Sequence, residues 1–233
     1  MTVLPMLYKT DLHCHTSELS GCSSESASDT VNRYAELGYT SVVITNHFSP
    51  HEYKRTGLEY RDYVERHFQV AEDAAAEANG KLNIIPGLEL RISSSNNDYL
   101  GFGATREVLW DIPDVFGMSL SELHDYLSAA GCLLIQAHPF RWDITIVRPE
   151  CVDGYEVLNT HGFQKNHNDI AMLFAKSVGG EGKILTAGSD HHDAWQTPTS
   201  GIMTEEPIVS APQLVSVLKE GRYHIFGEDR FRG

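Results

Sequence analysis

The sequence predicts an α/β fold, a largely parallel sheet with helices packed outside it. Three observations carry this. Short apolar runs rich in β-branched residues alternate with amphipathic helical stretches about six or seven times along the 233 residues. Almost every such run delivers a histidine or an acid at its carboxyl end. No internal repeat, low-complexity tract or linker interrupts the series, so residues 1–233 read as one domain.

Taken in order, "MLYKTDLH" is a first strand, and Ser28 or Asp29 caps the helix "TVNRYAELG", which stops at Gly38. "YTSVVITNH" is a buried strand, and residues 59–79 form a long helix that stops at Asn79-Gly80. "KLNIIPGLEL" is the next strand, and "DYLGFG" is a further one, read as antiparallel. Ser119 and Glu122 have capping-box spacing at the start of "SLSELHDYLSAAG", which feeds the strand "CLLIQAHPF". "DGYEVLN", a helix around residues 168–177, "KILTAGSDHH", the helix "APQLVSVLKEG" and a final "RYHIFG" complete the chain.

Composition narrows the function. With 32 acidic residues against 18 Lys and Arg, the formal net charge is −14. Such a field repels polyanions and disfavours a long nucleic acid as partner. Bound divalent cations reverse it locally, so a phosphate can still be drawn to one site. The four cysteines form no CxxC pair, which points to a reduced, cytoplasmic protein. The opening residues lack the pattern of a signal peptide, and no apolar run approaches the ~20 residues that span a bilayer, so no membrane partner is expected. Nothing in the sequence specifies an oligomeric state.

The strand ends carry the chemistry. His13 and His15 follow the first run, Asn46-His47 the second, and Glu89 the third. His138-Pro139, then Asn159-Thr160-His161, then Asp190-His191-His192 follow later ones. In barrels and open parallel sheets these tips face one surface, where sites are assembled from several loops. Strand alternation puts His13 and His15 on one face with Cys14 opposite, and puts Asp11 on the imidazole face, where it can hold a ring by its second nitrogen. Two imidazoles with carboxylates make an N/O site suited to zinc, manganese or iron. His191 points away from Asp190 and His192. His67 and His124 belong on helix surfaces, and Tyr53, Tyr60 and Tyr63 read as ordinary packing.

The motifs "DLHCH" (11–15), "ITNH" (44–47), "PGLEL" (86–90), "AHP" (137–139) and "GSDHH" (188–192) occur in an order that resembles the polymerase and histidinol phosphatase (PHP) domain family and span nearly the whole chain. The resemblance implies a distorted (β/α)7 TIM-like barrel with two or three divalent metal ions at the carboxyl ends of the strands. Zinc, manganese or iron are implied, with magnesium possible. It places His13, His15 and Asp190 on one ion, Glu89 as a bridge to a second with His138, and His47 and His192 on a third. The chain departs from the family pattern at three places. Asn46 stands where the family often has Asp. Ser20 and Gly21 stand where an acid or histidine is common, with Glu18 the nearest substitute. Asp98 stands where a histidine commonly precedes the next strand, and its carboxylate is read as a ligand of the second ion.

The activity implied is phosphoester hydrolysis of a small phosphorylated metabolite or nucleotide by metal-activated hydroxide. Arg91 and Arg141 follow site motifs and are suited to bind phosphate through paired hydrogen bonds. His161 is a further contact or general acid. A catalytically weak metal-binding module is the alternative. An amidohydrolase reading ranks last, because no lysine stands at a strand tip to serve as a bridge.

Overall fold

A computed structural model describes residues 7–112, 114–177 and 182–227. Ten strands form one curved sheet: β1 (Tyr8–Cys14), β2 (Ser41–Ile44), β3 (His47–Phe48), β4 (Asn83–Leu90), β5 (Tyr99–Phe102), β6 (Leu133–Gln136), β7 (Gly154–Asn159), β8 (Ile184–Gly188), β9 (Gly201–Thr204) and β10 (His224–Phe226). They run in the order β10-β9-β1-β2-β4-β5-β6-β7-β8, with β3 prolonging the β2 side of β4. β1, β2 and β4 are mutually parallel, as are β6, β7 and β8. β5 runs antiparallel between β4 and β6, as expected from "DYLGFG".

Among the described residues, the backbone of the sheet closes on itself at the strand tips. The amino-terminal half of β1 pairs with β9, an antiparallel strand absent from the sequence reading. Beyond that half, β1 turns to the segment following β8. Asp190 N donates to His13 O at 2.8 Å, and His15 N donates to His191 O at 2.9 Å. The result is the expected distorted TIM-like barrel, with its seam sealed at the strand tips.

Alternation sorts the apolar side chains into two layers. Leu12, Val43, Ile85, Leu100, Phe102, Leu133 and Ile135 fill the barrel interior together with Leu214 and Leu218 of α7 (Ala211–Glu220). Val42, Ile44, Leu88, Leu90 and Leu134 face outward and pack beneath the helices, with Tyr34 from α1 (Ala27–Glu36) and Tyr63, Val64 and Phe68 from α3 (Tyr60–Ala78). Such close interior packing is what fixes the strand tips in place.

The helices start as their capping residues dictate. Ser26, rather than Ser28 or Asp29, caps α1 by accepting from Asp29 N. Ser119 and Glu122 form the expected capping box of α5 (Leu120–Ala129). Two short helices went unread in the sequence, α2 (Pro50–Thr56) and α4 (Arg106–Trp110); α6 (Asn168–Ala175) falls where expected. His67 is a correction. It is buried on α3, with Nδ1 bonded to Tyr63 O and Nε2 3.3 Å from His47 O, so it pins a site strand from behind. Among the described residues, no helix is long and apolar enough to cross a membrane.

Candidate metal centre

At the sealed end of the barrel, a β-bulge decides which side chains meet. Between β1 and β2, Asp11 pairs with Val42 but Cys14 pairs with Ile44, so β1 carries one extra residue. Leu12 and His13 therefore both face inward, while Asp11 and Cys14 face out. This corrects the expectation that Asp11 shares the imidazole face. Its Oδ1 accepts from His13 N and Ser189 N, and its Oδ2 accepts from Tyr34 OH. Burial raises its pKa to about 6, against the lowering effect of these donors. The expected second-nitrogen contact is made instead by Glu156 of β7, whose Oε1 lies 2.9 Å from His13 Nδ1. β7 carries its own bulge beside Glu156. Gly188 lets the two strands come this close, since a Cβ there would sit 2.3 Å from His13 Cβ.

Around His13 the distant motifs converge. His13 Nε2 lies 3.1 Å from His15 Nε2, 3.2 Å from Glu89 Oε1 and 3.4 Å from Asp190 Oδ1. His15 Nε2 is 3.3 Å from Glu89 Oε2, and His138 Nε2 is 3.2 Å from Glu89 Oε1. His47 Nδ1 is 2.6 Å from Glu89 Oε2. Three groups of ligand atoms, each within 4.8 Å of one another, result: His13/His15/Asp190, His13/Glu89/His138 and His15/His47/His192. The backbone is bent to achieve this. His138 has φ 29° and Asp190 φ 50°, left-handed values that a non-glycine residue adopts only when its surroundings hold it there. Glu156 Oε2 accepts from His138 N, and His13 O accepts from Asp190 N.

This donor set fits divalent ions. Glu89 lies buried with Oε1 against the imidazoles of His13 and His138 and Oε2 against those of His15 and His47. Burial works against charge throughout the cluster, yet the carboxylates of Asp190, Glu156 and Glu89 hold His13 well above the ordinary imidazole range. Glu89 and Asp190 lie well below the usual carboxylate range despite burial, chiefly through His47 and His13 for Glu89 and through His13 and Arg141 for Asp190. His15, packed between His192 and His47, is pushed down by burial and by those two rings. Acids and imidazoles this close need positive charge between them, whether protons or cations.

The remaining expected residues divide. Asp98 lies beside the cluster, with Oδ2 3.9 Å from His138 Nε2, but both its oxygens accept from Arg91 at 2.7 and 2.6 Å. It belongs to none of the three groups, and Arg91 is correspondingly occupied by an acid at the cleft wall. Arg141 donates to Asp190 Oδ2 at 2.6 Å, to Asn166 Oδ1 and to Asn159 Oδ1, leaving Nη1 uncommitted among the described residues. His161 lines the same cleft, beside His192. Burial takes its pKa down to about 4, so at neutral pH it is an uncharged ring rather than a ready proton donor. Glu18 is a correction. Its carboxylate accepts from Ala27 N at the start of α1 and stands outside the cluster. His191 points away as expected and pairs with Glu25.

Asn46 is a structural pin in this chain. Its Oδ1 accepts from Thr16 N and Ser20 Oγ, and Ser20 Oγ also meets His15 Nδ1 at 2.9 Å. Sequence reasoning overlooked Glu156, a carboxylate in mid-strand, and Cys22, whose Sγ lies 3.3 Å from His47 Nε2. Burial raises the Cys22 thiol, but hydrogen bonding with His192 and His47 outweighs it and brings the pKa down to about 6. The acidic residue inside "YEVLN" was the available signal for Glu156; Cys22 had none beyond its proximity to the first motif.

No protein-family model and no curated protein sequence matches the chain. Solved structures do resemble it. PsfC from Pseudomonas syringae PB-5123 superposes with a TM-score of 0.68 at 17% identity, covering 95% of this chain and 92% of that one. A protein from Bifidobacterium adolescentis, assigned as a metal-dependent phosphoesterase, gives 0.55 at 15% identity, covering 92% and 97%. An amidohydrolase from Chromobacterium violaceum with bound sulfate gives 0.55 at 14%, covering 93% and 97%. Endonuclease Q in complex with a 27-mer duplex carrying an abasic lesion gives 0.65 at 12%, covering 92% of this chain but 57% of that one. At these identities the likeness is one of fold.

Proposed function

We propose that this chain is a metal-dependent phosphoesterase of the PHP type, acting as one domain on a small phosphorylated metabolite or nucleotide. One observation carries the reading: the three ligand groups share members, His13 between two and His15 between two, so neighbouring ions would be held side by side. His13, His15 and Asp190 are assigned to one ion, Glu89 and His138 to a second, and His47 and His192 to a third. Divalent ions so placed supply Lewis acidity toward phosphoryl oxygens and make hydroxide available near neutral pH.

The chain's own residues do the rest. Arg141, fixed through Asp190, Asn159 and Asn166, presents Nη1 to the cleft as a phosphate donor. Arg91 lines the same wall as a second phosphate contact, with its charge already paired to Asp98. His161, being neutral, orients a substrate oxygen by hydrogen bonding rather than delivering a proton. The cleft among these residues has a volume of about 370 Å³, a size that suits a small molecule. Beside His161, the exposed rings of Phe163 and Trp195 pack with centroids 4.1 Å apart and offer an apolar shelf to the part of the substrate beyond the phosphate. The net charge of −14 supports a small substrate over a long nucleic acid, although one structural neighbour is held on a DNA duplex.

The test is to strip the protein with a chelator, restore zinc, manganese or iron in turn, and assay nitrophenyl phosphate against its bis-ester and a panel of nucleotides. Turnover that vanishes with the metal and returns with it is expected. Fully metallated protein that cleaves no ester while cleaving amide substrates, or nothing at all, overturns the reading.

A further inference from the structure

We propose that Cys22 is a sulfur ligand of the outer metal position, completing with His47 and His192 a mixed imidazole–thiolate site. The loop joining β1 to α1 is built to hold this sulfur still. Ser20 Oγ accepts from His47 N at 3.0 Å and bonds His15 Nδ1. Ser23 Oγ and Ser24 N both donate to His192 O, at 2.7 and 3.0 Å, and Ser24 Oγ donates to Asp193 Oδ1 at 2.5 Å. Cys22 is thus stitched to the β2 tip on one side and to the segment after β8 on the other. Arg55 closes over the turn from outside: a Cβ on Gly21 would lie 2.9 Å from its Nε, and its Nη2 donates to Leu19 O at 3.0 Å.

The independent sign of an ion here is the three-imidazole group of His15, His47 and His192. His15 stacks on His192 with ring centroids 4.2 Å apart and lies tilted against His47 at 4.4 Å. Glu89 Oε2, buried 2.6 Å from His47 Nδ1, holds that ring by one nitrogen and leaves Nε2 facing Cys22. Cys22 Sγ stands 3.3 Å from His47 Nε2. Two ligands on one tetrahedral zinc, with Zn–S near 2.3 Å and Zn–N near 2.0–2.1 Å, are about 3.5 Å apart. A thiolate also changes selectivity: it softens an otherwise N/O site and favours zinc over manganese or magnesium at this position, while the inner positions keep only nitrogen and oxygen.

This inference rests on the cluster's binding divalent ions, and the experiment separates the two. The full chain, stripped of metal, is titrated with cobalt(II) and followed by absorption. A thiolate-to-cobalt charge-transfer band in the near ultraviolet is expected in the wild type. It should be missing from Cys22→Ser and Cys22→His, with the visible ligand-field bands of the other ions retained. Cys22→Ser should also weaken the last cobalt equivalent by more than about tenfold, whereas Cys22→His should restore much of that affinity without the band. Because Cys22 is exposed, both variants should fold, which circular dichroism checks. A wild type that binds cobalt without the band, or a band that survives in Cys22→Ser, overturns the assignment and leaves the phosphoesterase reading standing. A wild type that binds no cobalt overturns both.

Discussion

The inner and outer halves of the metal cluster are made from different material. His13, Glu89, His138 and Asp190 are buried and come from, or directly follow, strands whose register is set by the barrel. Glu156 adds a carboxylate behind His13, and the φ values of His138 and Asp190 show how firmly the backbone is held. His47, His192 and Cys22 are more open and depend on the loop before α1 for their arrangement. Strand register fixes donors to within fractions of an ångström, whereas a loop allows substitution of one donor type for another. Under the proposed function, the inner half would anchor the chemistry and the outer half is where metal preference could drift.

Substitutions can break or sharpen this contrast. The largest effect is expected from Glu89→Gln, since Glu89 contacts His13, His15, His47 and His138 at once. Turnover should fall by at least about a thousandfold and metal content should drop in both halves, as read by steady-state assay and elemental mass spectrometry. A variant that keeps full metal content and activity would remove the basis for a shared bridge.

Asp11→Asn probes the inner half through stability. Folding raises the pKa of this buried carboxyl from 3.8 to about 6. The folded protein therefore holds its proton more tightly than the unfolded chain, and this group's contribution to stability declines as pH rises from about 4 to 6, then levels off. The full effect is about 3 kcal/mol. Urea unfolding between pH 4 and 7 should show the difference between wild type and Asp11→Asn changing across that window; parallel curves would contradict the assignment.

Glu156→Gln should lower affinity for the inner ions about 10- to 100-fold, with the outer position unchanged in a competitive chelator titration. Equal weakening of both halves would mean that they are not separable. The smallest effect is expected from Arg141→Lys, which keeps the charge but loses the planar fork held by Asn159 and Asn166. It should raise KM for a phosphate ester about tenfold. A change confined to kcat would move Arg141 from binding to chemistry.

Much of the fold was legible because its signals are local and repeated. Apolar runs, helix stops at Gly38 and Asn79-Gly80, and the Ser119–Glu122 box each follow from short-range chemistry. The gathering of His13, His15, Glu89, His138, Asp190 and His192 was legible because parallel strands must end on one surface. The bulges were not. A single extra residue between Asp11 and Cys14 turns Asp11 outward, and nothing in the alternation of "KTDLHCH" announces it. Glu18 was misplaced for a related reason: nearness in sequence to His15 is no measure of direction once the chain has left the strand. It turns to meet Ala27 N, while Cys22, farther along, comes back. β9 was missed because "GIMT" is too short to show a period.

The barrel wall is drawn together at its mouth where Asp190 and His191 lie against His13 and His15. Those same four residues include three of the donors assigned to ions. A cation seated there acts as a buckle on the hoop of strands, so loading the centre and cinching the wall are one event. Metal should accordingly slow amide hydrogen exchange along β1 and the stretch after β8 far more than along β5, which lies across the ring and is clasped by neighbours on both sides.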